Sequence, residues 1–114
     1  MEWTPRQHPR FKATLPVELR ALGQPVPLRA QTEDISLGGL YVEMMLTQEV
    51  STELKITLWI GETKIQARGV VVSSHPAFGN GIKFTEIADE DKQGLKRFLD
   101  TLGIRGKAAG MAAN

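Results

Sequence analysis

Two short constellations in this 114-residue chain carry residue types suited to binding chemistry. The first is Arg6-Gln7-His8-Pro9-Arg10, with two arginines four positions apart. Pro5 and Pro9 bias the segment away from helix, so it reads as an extended arm. A guanidinium is a planar, permanently charged fork that pairs with phosphate oxygens and stacks on flat bases. The second is Asp34-Ile35-Ser36-Leu37-Gly38-Gly39, read as a polar turn between two strands. It offers a carboxylate, a hydroxyl and backbone without a Cβ. Taken alone, each has an ordinary reading. RxxxR is then a solvated basic arm. In DxSxxG, Asp and Ser bond their own backbone and Gly supplies a positive φ.

Catalysis has little support in these residues. His8, Asp34 and Ser36 have the residue types of a nucleophilic triad, but nothing around Ser36 resembles a nucleophile elbow. No phosphate loop of Walker type occurs. No catalytic residue is assigned, and the chain is expected not to be an enzyme. With no cysteine, there is no disulfide scaffold, thiol nucleophile or thiolate metal site. With His8 and His75 the only histidines, no metal ligand is assigned either.

The elements that must position the two constellations are mostly strands. Leu54, Ile56, Leu58 and Ile60 alternate with Glu53, Lys55, Thr57 and Trp59, a period of two with one buried face. Gly61-Glu62-Thr63 joins this run to the next, Lys64–Ser73, as a hairpin. Val26, Leu28 and Ala30 alternate likewise and predict a strand that buries them. Leu40, Val42 and Met44 repeat the pattern after the glycine pair. A strand from Gly81 to Ile87 comes after the turn at Phe78-Gly79-Asn80. An early strand over Lys12–Leu22 changes phase at Pro16, and the proline predicts an edge strand. Six short strands joined by short turns predict a mainly β fold, a six-stranded antiparallel barrel, followed by one C-terminal α-helix. That helix starts at Asp89 with acids in its first turn. Leu95, Phe98, Leu99 and Leu102 form its apolar stripe, and Gly103 is expected to stop it. The division expected is an arginine-bearing arm over residues 1–12, barrel plus helix over 13–103, and a disordered tail over 104–114.

The order of these features is more specific than either motif. RxxxR precedes two strands, then DxSxxGG, then a third strand. A later Gly81-x-x-Phe84 and an acid-capped helix complete the chain. This arrangement resembles the PilZ domain family, small β-barrel receptors of bacteria for cyclic di-GMP, over residues 5–103. The resemblance implies a stand-alone receptor whose ligand is cyclic di-GMP and which needs no cofactor. Arg6 and Arg10 match the arginines that grip bases and phosphates. Asp34, Ser36 and Gly39 match the second motif, where the carboxylate accepts from the guanine N1–H and exocyclic amine, and Gly39 allows close approach. His8, Gly38 and Arg68 are further candidate contacts. In the family the arm folds over bound ligand, which implies second-messenger signalling to a downstream protein partner. Some family members lack the motifs and work as nucleotide-independent interaction modules in motility or pilus assembly, which is the alternative reading here.

Charge separates these readings from a binder of nucleic-acid polymers. Lys plus Arg is 14 and Asp plus Glu is 13, a net charge of +1. The positive excess is local: Arg6, Arg10, Lys12 and His8 against Glu2. Seven aromatics, several at apolar positions, do not make a stacking platform for a strand. The N-terminal residues lack the apolar core of a signal peptide and no run is long enough to span a bilayer, so a cytoplasmic protein without membrane insertion is expected.

Overall fold

A computed structural model describes residues 8–113, with side chains placed over 8–103. Seven strands precede one helix: β1 (Phe11–Lys12), β2 (Pro16–Ala21), β3 (Leu28–Ile35), β4 (Gly39–Glu43), β5 (Glu53–Ile60), β6 (Thr63–His75), β7 (Gly79–Ile87) and α1 (Asp89–Ala113). All pairings are antiparallel. The order β3-β2-β5-β6-β7-β4 returns to β3, so six strands close a barrel and β1 is an extra strand beside β3. Closure removes the open edges that a flat sheet leaves.

The alternation in the sequence becomes the inside and outside of this barrel. Val17 and Leu19 from β2, Leu40 and Val42 from β4, and Leu54, Ile56 and Leu58 from β5 fill the interior. Ile65, Val71 and Ile82 complete its wall, and Leu95 and Leu99 bring α1 against it. The β5–β6 hairpin turns at Gly61, whose φ of +60° suits a residue without a Cβ.

One buried hydroxyl sets how the N-terminal segment meets the barrel. Thr32 has no exposed surface. Its Oγ1 donates to the Ala13 carbonyl at 2.6 Å and accepts from the Leu15 N–H at 2.9 Å. The Thr32 N–H donates to the Leu15 carbonyl, and the Ala13 N–H to that of Glu33. The link between β1 and β2 is therefore tied to β3. β1 then pairs beside the end of β3, with Lys12 opposite Asp34 and Phe11 opposite Ile35.

Four expectations change. The early strand does not change phase at Pro16: Phe11, Ala13, Leu15, Val17 and Leu19 all face the core, the strand is interrupted over residues 13–15 instead, and β2 is interior and not an edge, lying between β3 and β5. Pro16 opens β2, where a missing donor is tolerated. Second, the face led by Val26 and Leu28 is buried only at its far end: Val26 and Leu28 are exposed, Ala30 is half-buried and Thr32 is fully buried. Thr32 continues the face of Leu28 and Ala30, and a register shift between Thr32 and Asp34 then flips the phase, so Ile35 points inward and Asp34 outward. Third, Asp34 and Ile35 belong to the end of β3, and the turn is confined to Ser36-Leu37-Gly38. Fourth, the helix runs past Gly103 to Ala113, into the expected tail. Gly103 does not adopt the left-handed conformation of a helix stop, and the alanines beyond it favour helix. β1 likewise lies inside the segment assigned to the arm.

Candidate functional site

The two sequence constellations meet on the outer face of β3. Arg10 Nη1 lies 3.6 Å from Asp34 Oδ1, with the side chains 37% and 25% exposed. That separation is an ion pair and too long for a hydrogen bond. Asp34 Oδ1 is itself buried and has no hydrogen-bond partner among the described residues. A buried acceptor left unpaired is costly, so this oxygen is poised to take a donor. Arg6 lies outside the described residues, as do Trp3 and Pro5.

The turn after Asp34 is built by Ser36. Its Oγ accepts from the Gly38 N–H at 3.1 Å and the Gly39 N–H at 3.2 Å, and donates to the Gly39 carbonyl at 3.3 Å. The Ser36 N–H also donates to the Gly39 carbonyl at 2.8 Å. A hydroxyl has one donor and two acceptor sites, and all three are used here. Ser36 is buried, and its task in this structure is to hold the turn. Gly39 has a structural task too. A Cβ there would lie 2.1 Å from the Ile82 carbonyl oxygen on β7. The close approach that its missing side chain permits is between two strands. The His8 ring packs over Gly38, at 3.0 Å from where a Cβ would be. His8 thus covers the turn, on the same patch as Asp34.

Arg68 does not join this patch. Along one level of the sheet, Asp34 pairs with Tyr41, Tyr41 with Gly81, and Gly81 with Ser73 on β6. Arg68 is five residues from Ser73, about 16 Å along the strand. It faces Lys55 and Glu86, and its Nε is 4.0 Å from a Glu86 carboxylate oxygen.

Tyr41, not singled out in the sequence, does join it. Opposed residues of an antiparallel pair project to one face with Cβ atoms about 5 Å apart, so Tyr41 stands beside Asp34. Its hydroxyl is hydrogen-bonded to His75 Nδ1 at 3.1 Å. Burial, then the negative charges of Glu33 and Asp34, push the phenol above its ordinary pKa. The alternation of Leu40 and Val42 inward already implies Tyr41 outward. What the sequence hides is that its neighbours on β7, Gly79 and Gly81, have no side chains to crowd it.

The PilZ domain family model matches residues 4–101. No curated protein matches the chain. Among solved structures, the PilZ domain of YcgR from Escherichia coli, determined with c-di-GMP, is 14% identical with a TM-score of 0.73. The match covers 94% of this chain and 98% of that one. The Klebsiella pneumoniae MrkH–c-di-GMP complex is 18% identical with a TM-score of 0.76, covering 92% of this chain and 54% of that one. The Bacillus subtilis inhibitor of motility, MotI/DgrA, is 23% identical with a TM-score of 0.68, covering 86% and 53%. The chain thus spans about half the length of two of these proteins and nearly all of the YcgR domain. The family match takes in both arginines, the barrel and the strand end at Asp34, and the chain belongs to the PilZ domain family.

Proposed function

We propose that this chain is a cyclic di-GMP receptor that acts by binding and not by catalysis. The observation that carries the reading is the meeting of Arg10 with Asp34, whose buried oxygen has no hydrogen-bond donor among the described residues. The ligand presents both kinds of partner. The guanine Hoogsteen edge offers O6 and N7 acceptors to an arginine fork, and the phosphates offer oxygens. The N1–H and exocyclic amine of guanine are donors for a carboxylate. Asp34 then reads guanine and rejects adenine, while Arg10 and Arg6 hold phosphate or base from the arm. Ser36 and Gly39 keep the turn in shape beneath them, and His8 lies over it. Likeness in fold to c-di-GMP-bound PilZ structures supports the same ligand. Binding orders the N-terminal arm over the ligand and presents a new surface to a downstream protein.

Calorimetry on the full chain tests this. Cyclic di-GMP should bind the wild type, Arg10→Ala should collapse the affinity, and Asp34→Ala should weaken discrimination against the adenine analogue. No heat and no chemical-shift changes at micromolar protein would refute the reading. A specific observation favours a second one. Met45, Leu46 and Phe78 are exposed on two adjoining loops tied by the Ala77 N–H to the Met45 carbonyl and the Met44 N–H to the Phe78 carbonyl. Such an apolar rim suits a protein partner. Partner binding that ignores added nucleotide is the signature of that interaction module.

A further inference from the structure

We infer that Tyr41 is a base-stacking residue of the nucleotide site and that His75 holds its ring in the stacking position. The inference rests on the receptor reading above and adds the surface against which a base lies.

The sheet is shaped to lay this ring flat. Gly79 and Gly81 face outward on β7, opposite Glu43 and Tyr41. A Cβ on Gly79 would lie 2.8 Å from Tyr41 Cε1, and one on Gly81 would lie 3.8 Å from Cδ2. The ring therefore occupies space that a Gly79 side chain would fill, whereas a Cβ on Gly81 would collide with Ser73 Oγ and only touch the ring. Both glycines are buried although they point away from the core: the ring covers Gly79, and Ser73 with the edge of the ring covers Gly81. Beyond them, on β6, His75 fixes the far edge. The two ring centroids are 5.9 Å apart, and the phenol oxygen is hydrogen-bonded to Nδ1. The Tyr41 ring rests against the glycine strand and lines an open groove of about 810 Å³.

Charge decides what enters that groove. Glu33 and Glu43 line it with Tyr41 and His75; Met44, Met45, Ala77 and Phe78 make the rest of its wall, and Asp34 adjoins it as the cross-strand partner of Tyr41. Carboxylates repel phosphates, so the phosphates belong on the Arg10 side and the base belongs over the ring. A guanine whose N1–H and amine bond the Asp34 carboxylate extends across the neighbouring strand, where Tyr41 stands. Stacking tolerates any base because every base has a π-face. Tyr41 then supplies affinity, and Asp34 supplies the choice of guanine.

The test is calorimetry with cyclic di-GMP on the full chain, plus the ring resonances of Tyr41, the only tyrosine present. Tyr41→Phe keeps the π-face but loses the hydrogen bond by which His75 holds the ring, and should bind about threefold more weakly than wild type. Tyr41→Leu keeps bulk without a π-face and should bind about tenfold more weakly or worse. In the unaltered protein, saturating ligand should shift the tyrosine ring protons upfield, a readout that no folding defect can mimic. Unmoved resonances, or wild-type affinity in a folded Tyr41→Leu, overturn the inference. If wild type binds and Asp34→Ala impairs binding while Tyr41→Leu does not, only the stacking role falls. If wild type binds no nucleotide, the receptor reading falls and takes the stacking role with it.

Discussion

Gly39→Ala should damage the barrel before it damages any ligand contact. The added Cβ would sit 2.1 Å from the Ile82 carbonyl oxygen and 3.1 Å from Lys83 Cα, both backbone atoms. Ordinary contacts between carbon and a carbonyl oxygen begin near about 3.3 Å, so β4 and β7 must part by roughly 1 Å. The hydrogen bond from the Phe84 N–H to the Gly38 carbonyl, now 2.9 Å, lies next to the strain. Losing one or two such bonds costs about 1 kcal/mol each, and overpacking adds about 1–3 kcal/mol. The sum, about 2–5 kcal/mol, is a large part of a small domain's stability. Urea unfolding followed by tryptophan fluorescence reads it as a fall in midpoint of roughly 1–2 M. Gly38→Ala is the control. Its Cβ would crowd the His8 ring, a side chain that can turn away, and touch Ser36 Oγ at an ordinary 3.8 Å, so its midpoint should stay near that of the wild type. A Gly39→Ala protein that unfolds at the wild-type midpoint yet binds no ligand would refute the reasoning, and would give the glycine a ligand role instead.

Other outcomes rest on the same geometry. Thr32→Val removes two hydrogen bonds and strands the Ala13 carbonyl and Leu15 N–H. It should cost about 2–3 kcal/mol, a drop in Tm of roughly 10–20 °C by calorimetry. The phenolate absorbance of Tyr41 should titrate above that of a free tyrosine. Its native pKa is raised, so the stability linked to it is complete below the ordinary tyrosine value and is lost as pH rises through the raised one. Tyr41→Phe should remove that part of the alkaline loss. Arg68→Ala should leave cyclic di-GMP affinity within about twofold, while Arg10→Ala weakens it by about tenfold or more; equal losses would mean that the ligand reaches β6.

The barrel was legible because its strands alternate cleanly where they are regular. Leu54, Ile56 and Leu58 gave β5 its face, and Leu40 and Val42 gave β4 its own. Legibility failed at β3, where the apolar start of the run is exposed, a threonine takes the core position, and the bulge beside Glu33 then inverts the phase so that Ile35 points inward. Periodicity cannot anticipate a bulge, and a hydroxyl satisfied by Ala13 and Leu15 has no sequence signature. The stop at Gly103 failed because glycine ends a helix only when it turns left-handed, and the helix-favouring alanines beyond it give no reason to turn. At the candidate site, the residue types of Arg10 and Asp34 carried their own chemistry. Tyr41 and His75 did not stand out, since 34 residues separate them and the glycines between them on the sheet come from a third strand.

The shortness of β1 has one more consequence. The barrel closes through the pairing of β3 with β4 and does not need β1, which touches β3 at only Phe11 and Lys12. Releasing the segment before Ala13 thus forfeits two residue pairs and the packing of Phe11 against the core and α1, and leaves the closed ring of six strands intact. Occupancy of the arm and integrity of the domain are separate thermodynamic quantities. A protein built this way can vary the residues before its first long strand, retuning response without renegotiating its fold.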